Sequence, residues 1–176
     1  MNALRRRAEL DSKAVLTFAT SDTAASLHKL CRTLSELVML YYHDEGRRYK
    51  ACLARHQNAL NAQTLGGGSS IDKEGVIRRK RCVKYSYKAA LFAVAEQDPA
   101  TAGKYLAAAY EYVREVLHGR GGGAATEAAE LDVGSEDFGE WLEWKAVAEH
   151  LLLCMCDLRV SAGQLADAAA LLRRHR

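Results

Sequence analysis

The sequence predicts an all-α protein in which antiparallel helical hairpins stack as an α-solenoid. Alanine and leucine are abundant and there is a single proline, so long stretches of chain can remain helical. Apolar residues recur every three or four positions, which is the spacing of one helix face. The glycines gather at Gly66–Gly68 and Gly119–Gly123, where we expect connectors between helices.

The N-terminal third is predicted to hold a short helix and a long one. The short helix spans about Ala3–Ala19, with Ser21 and Asp22 as capping residues after it. The long helix starts at Thr23, and its apolar residues stay on one face across Gly46. A glycine inside a helix indicates either close packing against a neighbour or a local bend. Its apolar stripe comprises Leu27, Leu30, Cys31, Leu34, Val38, Tyr41, Tyr49, Cys52, Leu53 and Leu60.

A helical hairpin is predicted at Lys84–His118, around the only proline. Its first helix begins at about residues 71–72 and ends at Gln97, because Asp98 can cap a new helix whose first position suits Pro99. The apolar face of the first helix comprises Val83, Tyr87, Ala90, Leu91 and Val94. The face of the second comprises Ala102, Tyr105, Leu106, Ala109, Val113, Val116 and Leu117. Small residues at Ala90, Ala102 and Ala109 let the two backbones approach closely.

A second hairpin is predicted near the C-terminus. Its first helix ends at Gly163 and presents Phe138, Trp141, Trp144, Ala148, Leu151, Leu152, Met155 and Leu158. Its second helix presents Leu165, Ala168, Ala169 and Leu172. Cys156 and Ala168 have the same spacing as Ala90 and Ala102, so the second hairpin is a copy of the first. Both resemble tetratricopeptide helix pairs, which predicts a tetratricopeptide-like α-solenoid.

Length and composition predict one soluble cytoplasmic domain, residues 1–176, with flexible connectors at 64–70 and 119–135. Five cysteines without paired spacing indicate reduced thiols. The formal charge of +3 is small but unevenly distributed. The basic block comprises Arg78, Arg79, Lys80, Arg81, Lys84 and Lys88. The acidic block comprises Glu127, Glu130, Asp132, Glu136, Asp137, Glu140 and Glu143.

Candidate chemistry is sparse, and we predict a protein that is not an enzyme, with no catalytic residue, metal or cofactor. His28 with Cys31, Cys52 with His56, and His150 with Cys154 could each supply two metal ligands from one helix, but a thiol on an apolar stripe more often acts as a small hydrophobe. The glycine runs lack the Lys-Ser or Lys-Thr of a phosphate-binding loop, and no nucleophile motif is present.

Two charged stretches are candidates for contact with a partner. One is YYHDEGRRYK at Tyr41–Lys50 and the other is the basic block. The predicted interaction surface comprises Tyr42, Glu45, Arg47, Arg48, Arg78, Arg79, Arg81 and Lys84. The plainer interpretation is structural packing for the first stretch, and a solvated face that pairs with the acidic block for the second. An alternative function is an independent helical module that binds anionic lipid or RNA through residues 78–88.

Four segments, taken in order, resemble a known family. They are RRRAELDSK at Arg5–Lys13, YYHDEGRRYK, the hairpin KYSYKAALFAVAEQDPATAGKYLAAAYEYVRE, and EWKAVAEHLLLCMCDLR with the later LLRRHR. The hairpin is similar to a family pattern through Tyr87, Lys88, Ala90, Phe92, Asp98, Ala102, Lys104, Tyr105, Ala109 and Tyr110. The last segment is similar through Glu143, Lys145, Val147, Ala148, Glu149, Arg173 and His175. Together they resemble the foie gras domain of subunit eleven of the trafficking protein particle (TRAPP) complex.

This resemblance implies a non-catalytic scaffold subunit of a vesicle-tethering complex in endoplasmic reticulum to Golgi transport and autophagy. The expected partners are other TRAPP subunits, with peripheral association at endoplasmic reticulum and Golgi membranes and no nucleic acid or small-molecule substrate. Family members are several times longer, so we expect this chain to be a fragment. The stretch Gly119–Ser135 and the aliphatic Leu171, near an aromatic position of the family, depart from the family pattern.

Overall fold

The computed structural model describes residues 20–65, 73–119 and 136–175, and these residues form five α-helices and no strand. The helices are α1 (Thr23–Leu65), α2 (Lys73–Ala95), α3 (Pro99–Gly119), α4 (Glu136–Ser161) and α5 (Leu165–His175). The chain divides into two compact units, Met1–Tyr41 and Tyr42–Arg176. Within these described ranges, no helix is both long and apolar enough to cross a membrane. Because the described residues form helices and no strand, the prediction of an all-α fold is confirmed.

The long helix begins where the sequence predicts. Asp22 Oδ1 accepts a hydrogen bond of 3.0 Å from the backbone N–H of Ala25, which satisfies one of the free donors at the start of α1. The helix runs through Gly46, which is buried. A Cβ atom on Gly46 would lie 3.4 Å from Cβ of Phe92, so this glycine marks close packing against α2. The predicted helix at Ala3–Ala19 lies outside the described residues.

The turn between α2 and α3 confirms the predicted role of the proline. Asp98 Oδ1 accepts a hydrogen bond of 2.9 Å from the N–H of Thr101, and α3 begins at Pro99. Before it, Gln97 has φ 60, its N–H donates to Val94 O, and the N–H of Asp98 donates to Ala93 O. These two bonds form a Schellman motif, in which a left-handed residue closes the end of a helix.

The second hairpin has the same turn. Gly163 has φ +75, its N–H donates to Val160 O, and the N–H of Gln164 donates to Arg159 O. Cys156 and Ala168 are both buried where the two helices cross. The predicted end of the helix near Gly163 and the presence of a final helix that includes Leu165 are thus confirmed.

The core lies in the second unit, where α2 packs on α3, α3 on α4 and α4 on α5. Its small residues include Ala90, Ala102 and Ala109, as predicted, and each is at most 1% exposed. The larger buried residues of α3 and α4 are Leu106, Val113, Val116, Trp144, Leu151, Leu152 and Met155. Close contact between alanine-lined helix faces accounts for the tight crossing of α2 and α3.

Two predicted apolar faces are partly wrong. In α2, Leu91 and Val94 are exposed, whereas Ala89 and Ala93 are buried. The helix turns its alanines toward the neighbouring backbone, and this rotates its larger residues outward. In α5, Ala168 is buried but Ala169 is exposed, and so are Leu165 and Leu172. α5 packs mainly on α4 and contacts α3 through Tyr110 and His175, so only a narrow stripe of it is covered.

The predicted connectors at 64–70 and 119–135 fall mostly outside the described residues. Thr64, Leu65 and Gly119 belong to helices. All five cysteines lie within the described ranges, and none of them forms a disulfide bond there.

Candidate functional site

An apolar row lies on the outer face of α1 within the first unit. It consists of Leu27, Cys31, Leu34 and Val38, which share one helix face because they are spaced by four, three and four residues. Leu27, Leu34 and Val38 are 51%, 48% and 44% exposed, and Cys31 is also exposed. Leu30 and Leu37, on the neighbouring stripe, are half-buried. The helix therefore exposes a row of apolar side chains, which is typical of a contact site.

An aromatic seam joins α1 to α2 in the second unit. Its rings come from Tyr42, Tyr49 and His56 of α1 and from Tyr85 and Phe92 of α2. Tyr49 stacks on Phe92 at 5.5 Å between ring centroids, and His56 stacks on Tyr85 at 5.4 Å with an interplanar angle of 10°. These contacts fix the position of the seam's side chains.

Polar contacts add to the seam. Lys88 Nζ lies 4.8 Å from the ring centre of Tyr49 and donates to its hydroxyl at 3.2 Å. Gln57 of α1 donates a hydrogen bond of 2.9 Å to the hydroxyl of Tyr112 of α3. The C-terminal half of α1 is therefore held against both α2 and α3.

The basic block is largely committed to contacts within the fold. Arg78 pairs with Glu74 on its own helix, and Arg79 donates to Glu115 of α3 at 2.8 Å. Lys80 lies 2.6 Å from Glu140 of the acidic block and 5.6 Å from the ring centre of Trp144. The plainer interpretation, in which the basic block pairs in part with the acidic block, thus accounts for Lys80.

The predicted interaction surface is divided by the fold. Tyr42 is half-buried against Phe92, and Glu45 pairs with Arg48 along α1 at 3.2 Å. Arg79 is mostly covered, whereas Arg47, Arg81 and Lys84 are exposed. The eight residues do not form one patch. They lie at the seam, on the outer side of α1, and along α2.

A cationic cluster of Arg55, Arg78 and Arg81 lies around His56, where α1 passes α2. Burial lowers the pKa of His56, and the nearby charges of Arg81, Arg55 and Arg78 lower it further. Among the described residues, Arg81 has no carboxylate partner, and Arg55 Nη2 donates only to Cys52 Sγ at 3.1 Å. Sequence reasoning did not single out Arg55 as a contact residue, and it weighed His56 only as a metal ligand.

A polar contact of three side chains lies beside a cleft between α2 and α4. His150 Nε2 is 2.9 Å from the hydroxyl of Tyr87 and 3.6 Å from Cys154 Sγ. The cleft has a volume of about 360 Å³ and is lined mainly by apolar side chains, together with Lys84 and His150. Burial raises the pKa of Tyr87, and burial together with Asp157 raises that of Cys154. A raised pKa disfavours the ionised form of each group, which is the nucleophilic form.

Metal ligation has little geometric support. Of the three candidate pairs, His150 and Cys154 are in contact, whereas His56 stacks on Tyr85 and Cys52 accepts from Arg55. Across residues 20–65, 73–119 and 136–175, no group of three or more His, Cys, Asp or Glu side chains converges. A stable zinc site generally needs a fuller set of ligands.

The comparisons with known proteins add no family to this geometry. No family model, curated protein or solved structure matches the chain. The apolar row, the aromatic seam and the cationic cluster are therefore interpreted from their own chemistry.

Proposed function

We propose that this chain is a non-catalytic interaction module that acts as a scaffold within a TRAPP-type vesicle-tethering complex, and that it binds another subunit through α1. The apolar row carries this proposal. Three of its side chains are close to half exposed, and burying each against a partner helix would remove apolar surface from water. Leu27, Leu34 and Val38 have the spacing of anchors that dock a helix into an apolar groove.

The proposed partner is an apolar helix or groove on a neighbouring TRAPP-type subunit. The identity of the complex rests on the four segments that resemble the foie gras domain. We also propose that α2–α5 form two units of an α-solenoid, because Gln97 and Gly163 close turns with the same hydrogen bonds. Stacked hairpins offer extended outer faces, and scaffolds use such faces to hold several partners.

The alternative, binding of anionic lipid or RNA through the whole basic block, has less support. Arg78, Arg79 and Lys80 already contact carboxylates of α2, α3 and α4. Lys88 is placed over the ring of Tyr49. A polyanion that used the full block would have to displace these contacts.

Co-purification tests the proposed function. The affinity-tagged chain is expressed in eukaryotic cells, and recovered proteins are identified by mass spectrometry. We expect TRAPP subunits with the native chain and their loss with the double variant Leu34→Glu/Val38→Glu, because two charges would be buried at the contact. Leu153→Glu is the matched control, since Leu153 is 62% exposed but lies on α4.

Two outcomes would refute the proposal. One is recovery of no TRAPP subunit by the native chain. The other is retention of those subunits by the Leu34→Glu/Val38→Glu variant at the level of the control, which would place the contact elsewhere.

A further inference from the structure

Arg55 and Arg81 are exposed on α1 and α2: Arg55 precedes the half-buried His56 in the chain, and Arg81 lies one helical turn before Tyr85, on which the His56 ring stacks. We propose that Arg55, His56 and Arg81, with Arg78 beside them, bind a compact polyphosphate of the inositol phosphate class, either free or as a lipid headgroup. This site is separate from the apolar row and does not depend on the proposed scaffold function.

The charge of the two helices favours an anionic ligand. The segments Arg47–Ala62 of α1 and Gly75–Ala95 of α2 contain no aspartate or glutamate. Their basic residues are Arg47, Arg48, Lys50, Arg55, Arg78, Arg79, Lys80, Arg81, Lys84 and Lys88. Several of these pair with carboxylates outside the two segments, but Arg55 and Arg81 do not pair with any carboxylate of the described residues. Their positive charges reinforce one another and attract anions.

His56, Arg55 and Arg78 each have a contact that positions them before any ligand arrives. The ring of His56 is stacked on Tyr85, one helical turn from Arg81. Arg55 is fixed by its hydrogen bond to Cys52 Sγ, and Arg78 by its ion pair of 3.1 Å with Glu74. A guanidinium group binds phosphate oxygens through two parallel N–H donors, so positioned arginines lose little freedom on binding.

The same geometry favours a compact phosphate over single-stranded nucleic acid. Proteins that bind single strands stack bases on free aromatic faces. Here the rings stack on one another, His56 on Tyr85 and Tyr49 on Phe92, and Lys88 lies over Tyr49. Arg55 and Arg81 remain available to a phosphate, whereas each of these rings already has a stacked partner on one face.

The first experiment measures binding of inositol hexakisphosphate to the full chain by isothermal titration calorimetry at about 0.15 M salt. The site variant is Arg55→Gln/Arg81→Gln. The matched control is Arg32→Gln/Arg173→Gln, which removes the same charge from two other exposed arginines. We expect the site variant to bind about tenfold or more weakly, and the control to change by less than about twofold. Circular dichroism of both variants checks that their helices are retained.

A second variant separates geometry from charge. Arg55→Lys/Arg81→Lys keeps both charges but removes the paired donors, so we expect affinity at least about threefold below that of the native chain. Equal losses in the site variant and the control, or unchanged affinity in the lysine variant, would overturn the proposal. So would the absence of binding by the native chain.

Vesicles and RNA identify the source of the phosphate. We compare phosphatidylcholine vesicles that contain phosphatidylinositol 4,5-bisphosphate with phosphatidylserine vesicles of equal charge. Stronger binding to the vesicles with phosphatidylinositol 4,5-bisphosphate, reversed by added inositol hexakisphosphate, supports a lipid headgroup. Binding of inositol hexakisphosphate without binding to either kind of vesicle supports a free ligand. Tighter binding of a short single-stranded RNA, lost in the site variant, would replace the proposed ligand with nucleic acid.

Discussion

Gln97 and Gly163 occupy the same position in two turns that share one hydrogen-bond pattern. Gln97 has φ 60 and Gly163 has φ +75, and each N–H donates to the carbonyl three residues earlier. The following residues, Asp98 and Gln164, donate to Ala93 O and Arg159 O. The left-handed conformation suits glycine, whereas glutamine pays a steric cost there because of its Cβ. The two hairpins therefore close in the same way with different strain.

The first prediction concerns this strain. Gln97→Gly removes the Cβ from a left-handed position, and we expect the free energy of unfolding to rise by about 1 kcal/mol. Urea denaturation followed by circular dichroism measures the change. The reciprocal control, Gly163→Gln, should lower the free energy of unfolding by a similar amount. A Gln97→Gly chain that is no more stable than the native one would contradict the prediction.

The turn at Gln97 also shows what the sequence can predict. Asp98 and Pro99 signal the start of α3 locally, and the repeated small-residue spacing predicts the second hairpin without any tertiary information. The burial of Ala93 rather than Val94 depends on which side of α2 meets α3. Likewise Arg55 and Arg81 come to the same helix crossing through tertiary contacts such as the stacking of His56 on Tyr85. Such pairings between distant segments leave no periodic signal in the sequence.

The second prediction concerns the crossing of α1 and α2 at Gly46. Alanine here places its Cβ about 3.4 Å from Cβ of Phe92 and restores helix propensity, so we expect unfolding free energy to rise by roughly 0.5–1 kcal/mol. Valine adds two methyl groups in the same space, and we expect it to lower stability by about 1–3 kcal/mol. Chemical denaturation of both variants measures the difference.

Gly103 is the control for Gly46, because a Cβ added there meets nothing within 4 Å. We expect both Gly103→Ala and Gly103→Val to be tolerated, with alanine stabilising by about 1 kcal/mol. If valine were as acceptable at Gly46 as at Gly103, the close approach to Phe92 would not limit the helix crossing.

The third prediction concerns Ser86, which is fully buried in α2. Its Oγ has no hydrogen-bond partner among the described residues. A buried hydroxyl without a partner costs free energy, so we expect Ser86→Ala to stabilise the fold by about 1–2 kcal/mol. The exposed Ser35→Ala on α1 should gain only about 0.5 kcal/mol from helix propensity. Destabilisation by Ser86→Ala would show that the hydroxyl makes a native hydrogen bond.

The fourth prediction concerns thiol reactivity. Burial raises the pKa of Cys82 to about 11, whereas Cys31 is exposed on the apolar row. Because the thiolate is the reactive form, we expect iodoacetamide to modify Cys82 at least about a hundredfold more slowly than Cys31 at neutral pH. Peptide mass spectrometry over a time course gives both rates. Urea should increase the rate of modification at Cys82, because unfolding exposes it. Equal rates at Cys82 and Cys31 in the folded chain, with no increase at Cys82 in urea, would show that Cys82 is accessible.

The last prediction concerns the charge around His56. Burial and the charges of Arg81, Arg55 and Arg78 lower its pKa, so the unfolded chain binds a proton more readily than the folded one. Above the pKa that His56 has in the unfolded chain, the ring is neutral in both states and does not lower the stability of the fold. Stability falls as the pH drops from about 7 toward 5, because the proton binds the unfolded chain more readily. Arg81→Gln should raise the pKa of His56 toward its usual value, measured from the ring proton shifts by NMR. Arg47→Gln removes the same charge from α1, but Arg47 is not among the groups that lower this pKa. An equal response to both variants would mean that Arg81 does not act on His56 at close range.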